Sequence, residues 1–404
     1  MQGKTLIKKL SLTGLLSYGE WQEITLEPLN VLIGPNASGK SNLIEVLRLL
    51  QAAPSDMTLP IRLGGGFAEW MWKGQQADAL ATIEAIVDYA PGVEQSLRHY
   101  MSFKLPSSRL AIAKEEIADH KISEDDSERD ISFYYNSQSG EVLAGAIQVN
   151  ESGEVAFGRI KRKLTAEEVK TDQSILSQLT DRYSYPEISY LAHNFAAIKL
   201  YTDWDLGRIA ALRRPQKVDD PNDFLLEDAS NLALVLNDLL YRGYRVGLIE
   251  DLQKLYDEIN DIITRVEGGT IQLFLQEKGH QRPISAARLS DGTLRYLCLL
   301  AILRHPKPPP LICIEEPELG LHPDVLPTIA ELLIDASERT QLIVTTHSDV
   351  LISALPEPEM VLVCERDERG SHLQRLSAES LKAWLEQYTL GDLWRMGEIG
   401  GTRW

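Results

Sequence analysis

The sequence predicts an α/β protein with a mixed central sheet, an antiparallel β subdomain and an inserted helical arm. Buried-strand patterns alternate with amphipathic helices near both ends of the chain, which is typical of an α/β core. From about residue 79 to 163 the pattern alternates with a period of two and is broken by turns. A helical period follows from 172 to 266. We therefore predict a first lobe at 1–165, a helical arm at 170–266 and a second lobe at 270–404.

The period-two region is predicted to form an antiparallel meander. Ser139 with Gly140 and Ser152 with Gly153 are turn signals that separate its last three strand-like segments. By contrast, the acidic stretch 113–129 is typical of a solvated loop or a short helix.

Two segments of the arm carry the helical period, 228–240 and 246–266. Asp228 or Ser230 is predicted to cap the first of them. The second is about three heptads at most, too short for a long coiled coil. Before both, Arg213 favours a loop salt bridge over a contact with nucleotide or a partner.

Composition indicates a globular protein that is a poor general binder of nucleic acid. Of 404 residues, 44% are hydrophobic and 25% are charged, and the formal charge is −18. Because Lys and Arg drive nonspecific DNA binding, any such contact would need a local basic patch. Arg159, Lys161 and Lys163 fall on one face of a predicted strand. A phosphate-binding ridge and a solvated strand face are both open there, and the solvated face is the simpler interpretation.

The compartment is predicted to be the cytoplasm, with no membrane partner. Cys298, Cys313 and Cys364 lie in apolar stretches without metal-ligand or disulfide spacing, as expected in a reducing compartment. The start of the chain lacks the pattern of a secretory signal. The longest apolar run, 296–303, is far shorter than the roughly 20 residues of a membrane helix.

A phosphate-binding loop is predicted at 34–41, where GPNASGKS fits GxxxxGK[ST] between a buried strand and an amphipathic helix. Its glycines let backbone N–H groups face phosphates, Lys40 reaches the β- and γ-phosphates, and Ser41 can bind Mg²⁺. The alternative, a chance glycine-rich turn, does not explain the flanking strand and helix. We therefore predict ATP and Mg²⁺ as cofactors, with nucleotide bound by Gly34, Pro35, Asn36, Ala37, Ser38, Gly39, Lys40, Ser41 and Asn42.

A pair of carboxylates follows the short apolar strand at 311–314. Ligands bind at the carboxyl ends of strands in open α/β sheets, and adjacent carboxylates repel one another unless a cation is near. We assign Glu315 to the Mg²⁺ shell and Glu316 to catalysis, polarising the attacking water. The alternative is a solvated acidic turn, which a phosphate-binding loop in the same chain makes less attractive.

Two further motifs are candidates for contacts with phosphate. Ser290 is predicted to cap a strongly apolar helix, with Asp291 after it and Gly292 permitting close backbone approach. Taken in isolation, this motif also fits an ordinary capped helix. His347 ends a buried strand one strand–helix unit after the acidic pair, so a neutral imidazole there could contact the γ-phosphate or water as a catalytic group.

These motifs, in this order, resemble ABC-type ATPase heads of the RecF, SMC and overcoming-lysogenization-defect (OLD) group. The resemblance covers most of the chain and is weakest in the meander and the helical region. The sequence departs from the wider ABC pattern at three positions. Asp291 replaces a glycine, Thr293 replaces a glutamine, and Glu315 replaces the aspartate of transporters.

The resemblance implies a homodimer, or a higher even oligomer, in which two subunits sandwich two ATP molecules. Ser290 and Gly292 would then act on the nucleotide of the other subunit. A glutamine after the phosphate-binding loop should approach the metal, and Gln75 and Gln76 both stay open as candidates.

The motif at 289–293, which is the signature of such heads, has an OLD-like form here. This signature without a fused nuclease favours a sensor or scaffold subunit of a prokaryotic anti-phage defence or toxin-type module. Such a subunit would hydrolyse ATP and act with a separately encoded effector, for example a nuclease. The alternative is a RecF-like repair ATPase that binds DNA ends or gaps. A transporter subunit is disfavoured by the signature variant and by the size of the helical arm.

Overall fold

A computed structural model describes most of the chain, namely residues 3–74, 80–89, 95–104, 110–120, 133–138, 141–149, 155–164 and 169–401. Its strands form three sheets. The strands are β1 (Ile7–Thr13), β2 (Gln22–Thr25), β3 (Leu29–Ile33), β4 (Ala81–Tyr89), β5 (Gln95–Lys104), β6 (Ala111–His120), β7 (Phe133–Gln138), β8 (Glu141–Val149), β9 (Val155–Leu164), β10 (Lys199–Tyr201), β11 (Gln216–Lys217), β12 (Ile259–Glu267), β13 (Thr270–Glu277), β14 (Ile284–Ser285), β15 (Leu311–Glu315), β16 (Gln341–Thr345), β17 (Val361–Asp367) and β18 (Gly370–Arg375).

Helices cover the sheets and connect the parallel strands. They are α1 (Lys40–Ala52), α2 (Thr58–Leu63), α3 (Phe67–Trp70), α4 (Pro186–Ala196), α5 (Leu232–Tyr241), α6 (Arg245–Leu255), α7 (Asp291–Leu303), α8 (Leu326–Ser337), α9 (Asp349–Ser353), α10 (Ala378–Leu385) and α11 (Leu390–Met396). No helix in the described part of the chain is long and apolar enough to cross a membrane.

The largest sheet is antiparallel and has the order β2-β1-β4-β5-β6-β7-β8-β9, which confirms the predicted meander. One expectation inside it was wrong, because residues 113–120 of the acidic stretch belong to β6 rather than to a loop or a helix. The rest of that stretch, 121–129, lies outside the described residues. Its acidic side chains are buried with partners: Glu115 accepts a hydrogen bond from the Ser174 hydroxyl at 2.6 Å, and Glu116 pairs with Arg98. Paired carboxylates can be buried in a sheet, so charge alone is a poor signal for a loop.

The central sheet has the order β10-β15-β16-β3-β17-β18 and is parallel except for its last strand pair. Thr345 at the end of β16 pairs with Glu315 on one side and with Leu32 on the other. The carboxyl ends of β3, β15 and β16 therefore lie side by side. The predicted α/β class, with a mixed central sheet and an antiparallel subdomain, is confirmed.

Side chains of the central strands alternate between two apolar cores. In β3, Val31 and Ile33 belong to one core and Leu32 to the other. In β15, Ile312 and Cys313 divide in the same way. This alternation is the period of two of a strand buried on both faces, so the sheet is fixed from both sides.

The segment predicted to be wholly helical is mixed. Helix α6 ends at Leu255, and the residues after it form β12, which pairs with β13 in a small antiparallel sheet. The prediction of one helix over 246–266 was therefore wrong, and the cluster of β-branched residues after 258 explains why, since such residues favour strands.

The predicted cap of the preceding helix was also wrong. Helix α5 begins after Asn231, without a side-chain cap. The Asp228 carboxylate instead accepts hydrogen bonds from the backbone and hydroxyl of Ser230, a local turn that competes with capping.

Candidate functional site

The loop between β3 and α1 is shaped by residues with positive φ. Gly34 and Gly39 have φ values of 147° and 113°, and Ala37 has 64°. A Cβ on Gly34 would lie 2.1 Å from the Cys364 carbonyl oxygen, and one on Gly39 would lie 2.3 Å from the Ser371 hydroxyl. Glycine is therefore required at both positions by conformation and by space.

Contacts from outside the motif hold this loop in place. The Ser38 carbonyl accepts hydrogen bonds from the Ser371 hydroxyl at 2.5 Å and from the Cys364 thiol at 3.2 Å. The Tyr18 hydroxyl donates to the Gly39 carbonyl at 3.0 Å. Sequence reasoning missed these supports, since each lies far from the loop in the chain and none belongs to a motif.

Lys40 is almost fully buried at the start of α1. Its ammonium group donates to the carbonyls of Gly34 at 2.7 Å and Pro35 at 3.1 Å. Burial lowers the pKa of Lys40, while Glu316 and Glu315 act in the opposite direction. A buried ammonium group that donates only to neutral carbonyls in the described part of the chain is suited to an anionic ligand, which would neutralise its charge.

Ser41 lies beside Glu315. Burial raises the pKa of Glu315, the Ser41 hydroxyl acts in the opposite direction, and the charges of Glu316, Asp203 and Glu45 raise the pKa further. A hydroxyl next to a carboxylate in an acidic environment is a hard oxygen donor set of the kind Mg²⁺ uses together with phosphate oxygens. The described residues contain no cluster of three or more His, Cys, Asp or Glu side chains that would bind a metal alone.

Glu316 has a left-handed backbone, with φ of 46°. Its N–H donates to the Thr345 carbonyl at 3.0 Å, which fixes it to the end of the neighbouring strand. The carboxylate lies 3.5 Å from Nε2 of His347. Burial, followed by the charge of Lys40, lowers the pKa of His347, which favours the neutral imidazole.

Glu318 is hydrogen-bonded to His347 and to the residue before it. One of its carboxylate oxygens accepts hydrogen bonds from the Thr346 hydroxyl and the His347 N–H, both at 2.7 Å. Its other oxygen is buried without a hydrogen-bond partner among the described residues. Its position two residues after Glu316 could have drawn attention to it, but sequence reasoning assigned it no role.

The signature residues start helix α7 on the surface. The Ser290 hydroxyl accepts from the Thr293 N–H at 3.0 Å, which confirms the predicted cap. A Cβ on Gly292 would lie 2.5 Å from the Gly320 carbonyl oxygen, so this glycine permits the close approach of the loop after the acidic pair.

Arg213 supports the signature from beneath. Its buried guanidinium donates to the carbonyls of Leu206 at 2.8 Å, Ala286 at 3.1 Å and Leu289 at 2.6 Å, and it pairs with Asp291. The predicted loop salt bridge is thus confirmed, although its partner could not be named from the sequence.

Two sequence candidates cannot be placed at the site. Gln75 and Gln76 lie outside the described residues. Arg159, Lys161 and Lys163 follow alternate positions of β9, but their side chains also lie outside the described part.

A loop of this geometry after a buried strand, an acidic pair on an adjacent parallel strand and a capped signature helix define an ABC-type ATPase head of the OLD, SMC and RecF group. A family model described as "AAA domain, putative AbiEii toxin, Type IV TA system" matches residues 29–353. The chain therefore belongs to this family.

A curated relative points in the same direction. The Old nuclease of Escherichia phage P2 is 27% identical over 128 residues. That match spans 29% of this chain and 22% of the nuclease, so this chain covers well under two thirds of that relative.

Two solved structures share the fold. An SMC head bound to the C-terminal winged-helix domain of ScpA aligns with a TM-score of 0.56 and 14% identity, covering 93% of this chain and 99% of that chain. A Pyrococcus furiosus Smc head with an extended coiled coil, bound to the C-terminal domain of ScpA, aligns with a TM-score of 0.50 and 14% identity, covering 95% and 99%. At this identity the likeness concerns the fold.

Proposed function

We propose that two copies of this chain bind two ATP molecules between them and hydrolyse them with Mg²⁺. The observation that carries the proposal is the convergence of Lys40, Glu315, Glu316 and His347 at one edge of the central sheet. Each provides a function that phosphoryl transfer to water needs: a phosphate-binding cation, a metal ligand, a base and a phosphate-sensing imidazole.

In the proposed mechanism, the 34–41 loop binds the phosphates through backbone N–H groups and Lys40. Ser41 and Glu315 would hold the magnesium ion, which neutralises phosphate charge when bound. Glu316 orients water and accepts its proton as the water oxygen bonds to the γ-phosphorus and the bond to ADP breaks. His347 stays neutral next to Glu316 and donates a hydrogen bond to the γ-phosphate.

The dimer is proposed because, among the described residues, the signature forms no hydrogen bond with the phosphate-binding loop of its own chain. The side chain of Ser290 bonds to Thr293 and that of Asp291 to Arg213, and within the described ranges neither donates to or accepts from the 34–41 loop. Both are exposed, so they are accessible to a second subunit.

For the biological role, we favour a cytoplasmic sensor or scaffold subunit of a defence or toxin-type module with a separate effector, such as a nuclease. Support comes from the family description, from the likeness to a phage nuclease over part of the chain, and from the charge of −18, which suits protein partners better than DNA. If the protein, expressed with its neighbouring genes, purifies alone under every nucleotide condition, this role is wrong.

The enzymatic proposal is tested with two variants. Lys40→Ala should lose ATP binding, because the buried cation is removed from the phosphate site. Glu316→Gln should bind ATP but lose turnover, because an amide cannot accept the proton. Binding is measured by calorimetry and turnover by phosphate release. Unchanged hydrolysis in Glu316→Gln would remove this residue from its assigned role.

One observation favours the second candidate function, action on DNA. A cleft of about 1380 Å³ at the amino ends of the central strands is lined by residues that include the cationic side chains of Lys4 and Arg182. In the described part of the chain, Lys4 and Arg182 form no ion pair. Binding of DNA ends that weakens steeply with salt, and is lost in Lys4→Glu/Arg182→Glu, would favour this function. Absence of such binding would exclude it.

A further inference from the structure

The chain after the last helix returns to the phosphate-binding loop. Helix α11 ends at a left-handed Gly397. Gly400 and Gly401 follow with φ values of 74° and 68°, so the backbone turns twice within a few residues. Such turns favour glycine, and they direct the chain toward the end of β3.

Gly401 is buried against the first residue of the loop. Its N–H donates to a Glu365 carboxylate oxygen at 2.9 Å, and its carbonyl accepts from the Trp394 indole N–H at 3.2 Å. A Cβ on Gly401 would lie 3.3 Å from the Gly34 Cα and 3.1 Å from Cγ1 of Val363. The segment 398–401 therefore packs directly against the phosphate-binding loop.

Gly34 lies between this segment and the phosphate site. It has little room on its other side, where a Cβ would lie 2.1 Å from the Cys364 carbonyl oxygen. Its own carbonyl accepts the hydrogen bond of the Lys40 ammonium at 2.7 Å. The backbone of Gly34 is thus confined between β17 and the C-terminal segment, and it positions the lysine.

The segment is held by the buried side chain of Ile399 and by a small number of hydrogen bonds, one of them from the Glu398 N–H to the Leu393 carbonyl. Helix α11 is fixed independently, since Gly391 lies so close to α9 that a Cβ there would be 2.2 Å from the Asp349 carbonyl oxygen. The end of the segment, at Gly401, is held by one carboxylate and one indole. Backbone with few contacts opens first, so Gly401 can open locally while the buried Ile399 and α11 stay docked.

We infer that residues 398–401 form a nucleotide-coupled support for the phosphate-binding loop, with Glu365 and Gly401 as positioning residues. This inference rests on the proposed ATP site. Because coupling between two sites is reciprocal, a docked segment strengthens nucleotide binding, and bound nucleotide strengthens docking by the same factor. Segment 398–401 is therefore docked more firmly when nucleotide occupies the site.

The test measures the Kd of a non-hydrolysable ATP analogue with the full-length protein. Glu365→Ala should raise the Kd by about tenfold, since it removes a charge-assisted hydrogen bond. Glu365→Gln should restore most of the affinity, because its amide oxygen can still accept from Gly401. Gly401→Ala should weaken binding in the same direction. Trp384→Ala, on the exposed face of α10, serves as the matched control and should leave the Kd unchanged.

A second measurement requires no variant. Hydrogen exchange at the Gly401 amide of the wild-type protein should slow by about the same tenfold factor when the analogue is saturating. Unchanged exchange, or unchanged Kd in both Glu365→Ala and Gly401→Ala, would overturn the inference. If Lys40→Ala then still abolishes binding, the ATP site stands without the coupling. If the wild-type protein binds no nucleotide, the proposed function itself is wrong.

Discussion

The phosphate-binding loop and the signature both stand at the start of a helix, but their backbone groups are satisfied differently. Helix α1 follows a left-handed Gly39, and no side chain caps it. Helix α7 follows Ser290, whose hydroxyl accepts from a backbone N–H of its first turn. The N–H groups at the first helix start therefore have no side-chain acceptor and are available to an anionic ligand, whereas a side chain already satisfies one N–H of the second.

The two helix starts also differ in burial. Lys40 is 7% exposed, whereas the side chain of Asp291 is 70% exposed. A buried helix start forms a site for a small ligand, while an exposed one forms a surface for a larger partner. This difference supports an arrangement in which one region binds nucleotide within its own subunit and the other acts across an interface.

Loss of Arg213 should have the largest effect on stability. Arg213→Ala leaves the buried carbonyls of Leu206, Ala286 and Leu289 without their donor, at a cost of about 3 kcal/mol. Arg214→Ala, at the exposed neighbouring position, is the control and should change stability little. Urea denaturation of both variants checks this. Equal urea midpoints of unfolding for the two variants would show that the contacts of Arg213 do not stabilise the signature.

Changing Ser290 should separate capping from contact with nucleotide. Ser290→Ala loses the cap, worth about 1 kcal/mol, and should also lose ATPase activity while keeping nucleotide affinity in the isolated subunit. Ser290→Asp keeps a good cap but places a carboxylate where a phosphate would approach, so stability should persist and activity should not. Phosphate release and denaturation are measured side by side. Full activity in Ser290→Asp would contradict a phosphate contact.

The smallest expected effect concerns pH. Folding lowers the pKa of His347 below the value of about 6.5 that it has in the unfolded chain. Below about pH 6.5 the unfolded chain therefore binds the proton more readily than the folded protein does. The stability contributed by the neutral imidazole is complete above that value and is lost as pH falls toward the folded pKa. Between about pH 8 and about pH 5.5, the wild-type protein should therefore lose more stability than His347→Gln. Parallel losses in urea denaturation would contradict this.

The motifs could be predicted because each is encoded within a few consecutive residues. The loop at 34–41 needs its glycines and lysine in one turn, and Glu315 with Glu316 must follow a buried strand directly. Because these constraints involve residues that are close in the chain, they can be recognised from the sequence alone. The family and the fold class inferred from these motifs were both confirmed.

Supports that come from distant parts of the chain could not be predicted. Arg213 lies 78 residues before Asp291, and Glu365 lies 36 residues before Gly401. The helical interpretation of 259–266 failed for a different reason. The β-branched residues there favour a strand, which pairs with β13 across the turn at Gly268 and Gly269.

The left-handed backbone of Glu316 has a consequence for how this protein can change over generations. An L-residue in that conformation costs about 1–2 kcal/mol relative to glycine, which adopts it freely. Glu316→Gly would thus relieve strain while removing the proposed base. A descendant that kept the fold but no longer needed turnover would gain stability by that single substitution, so the proposed role predicts that active relatives keep a glutamate at this position.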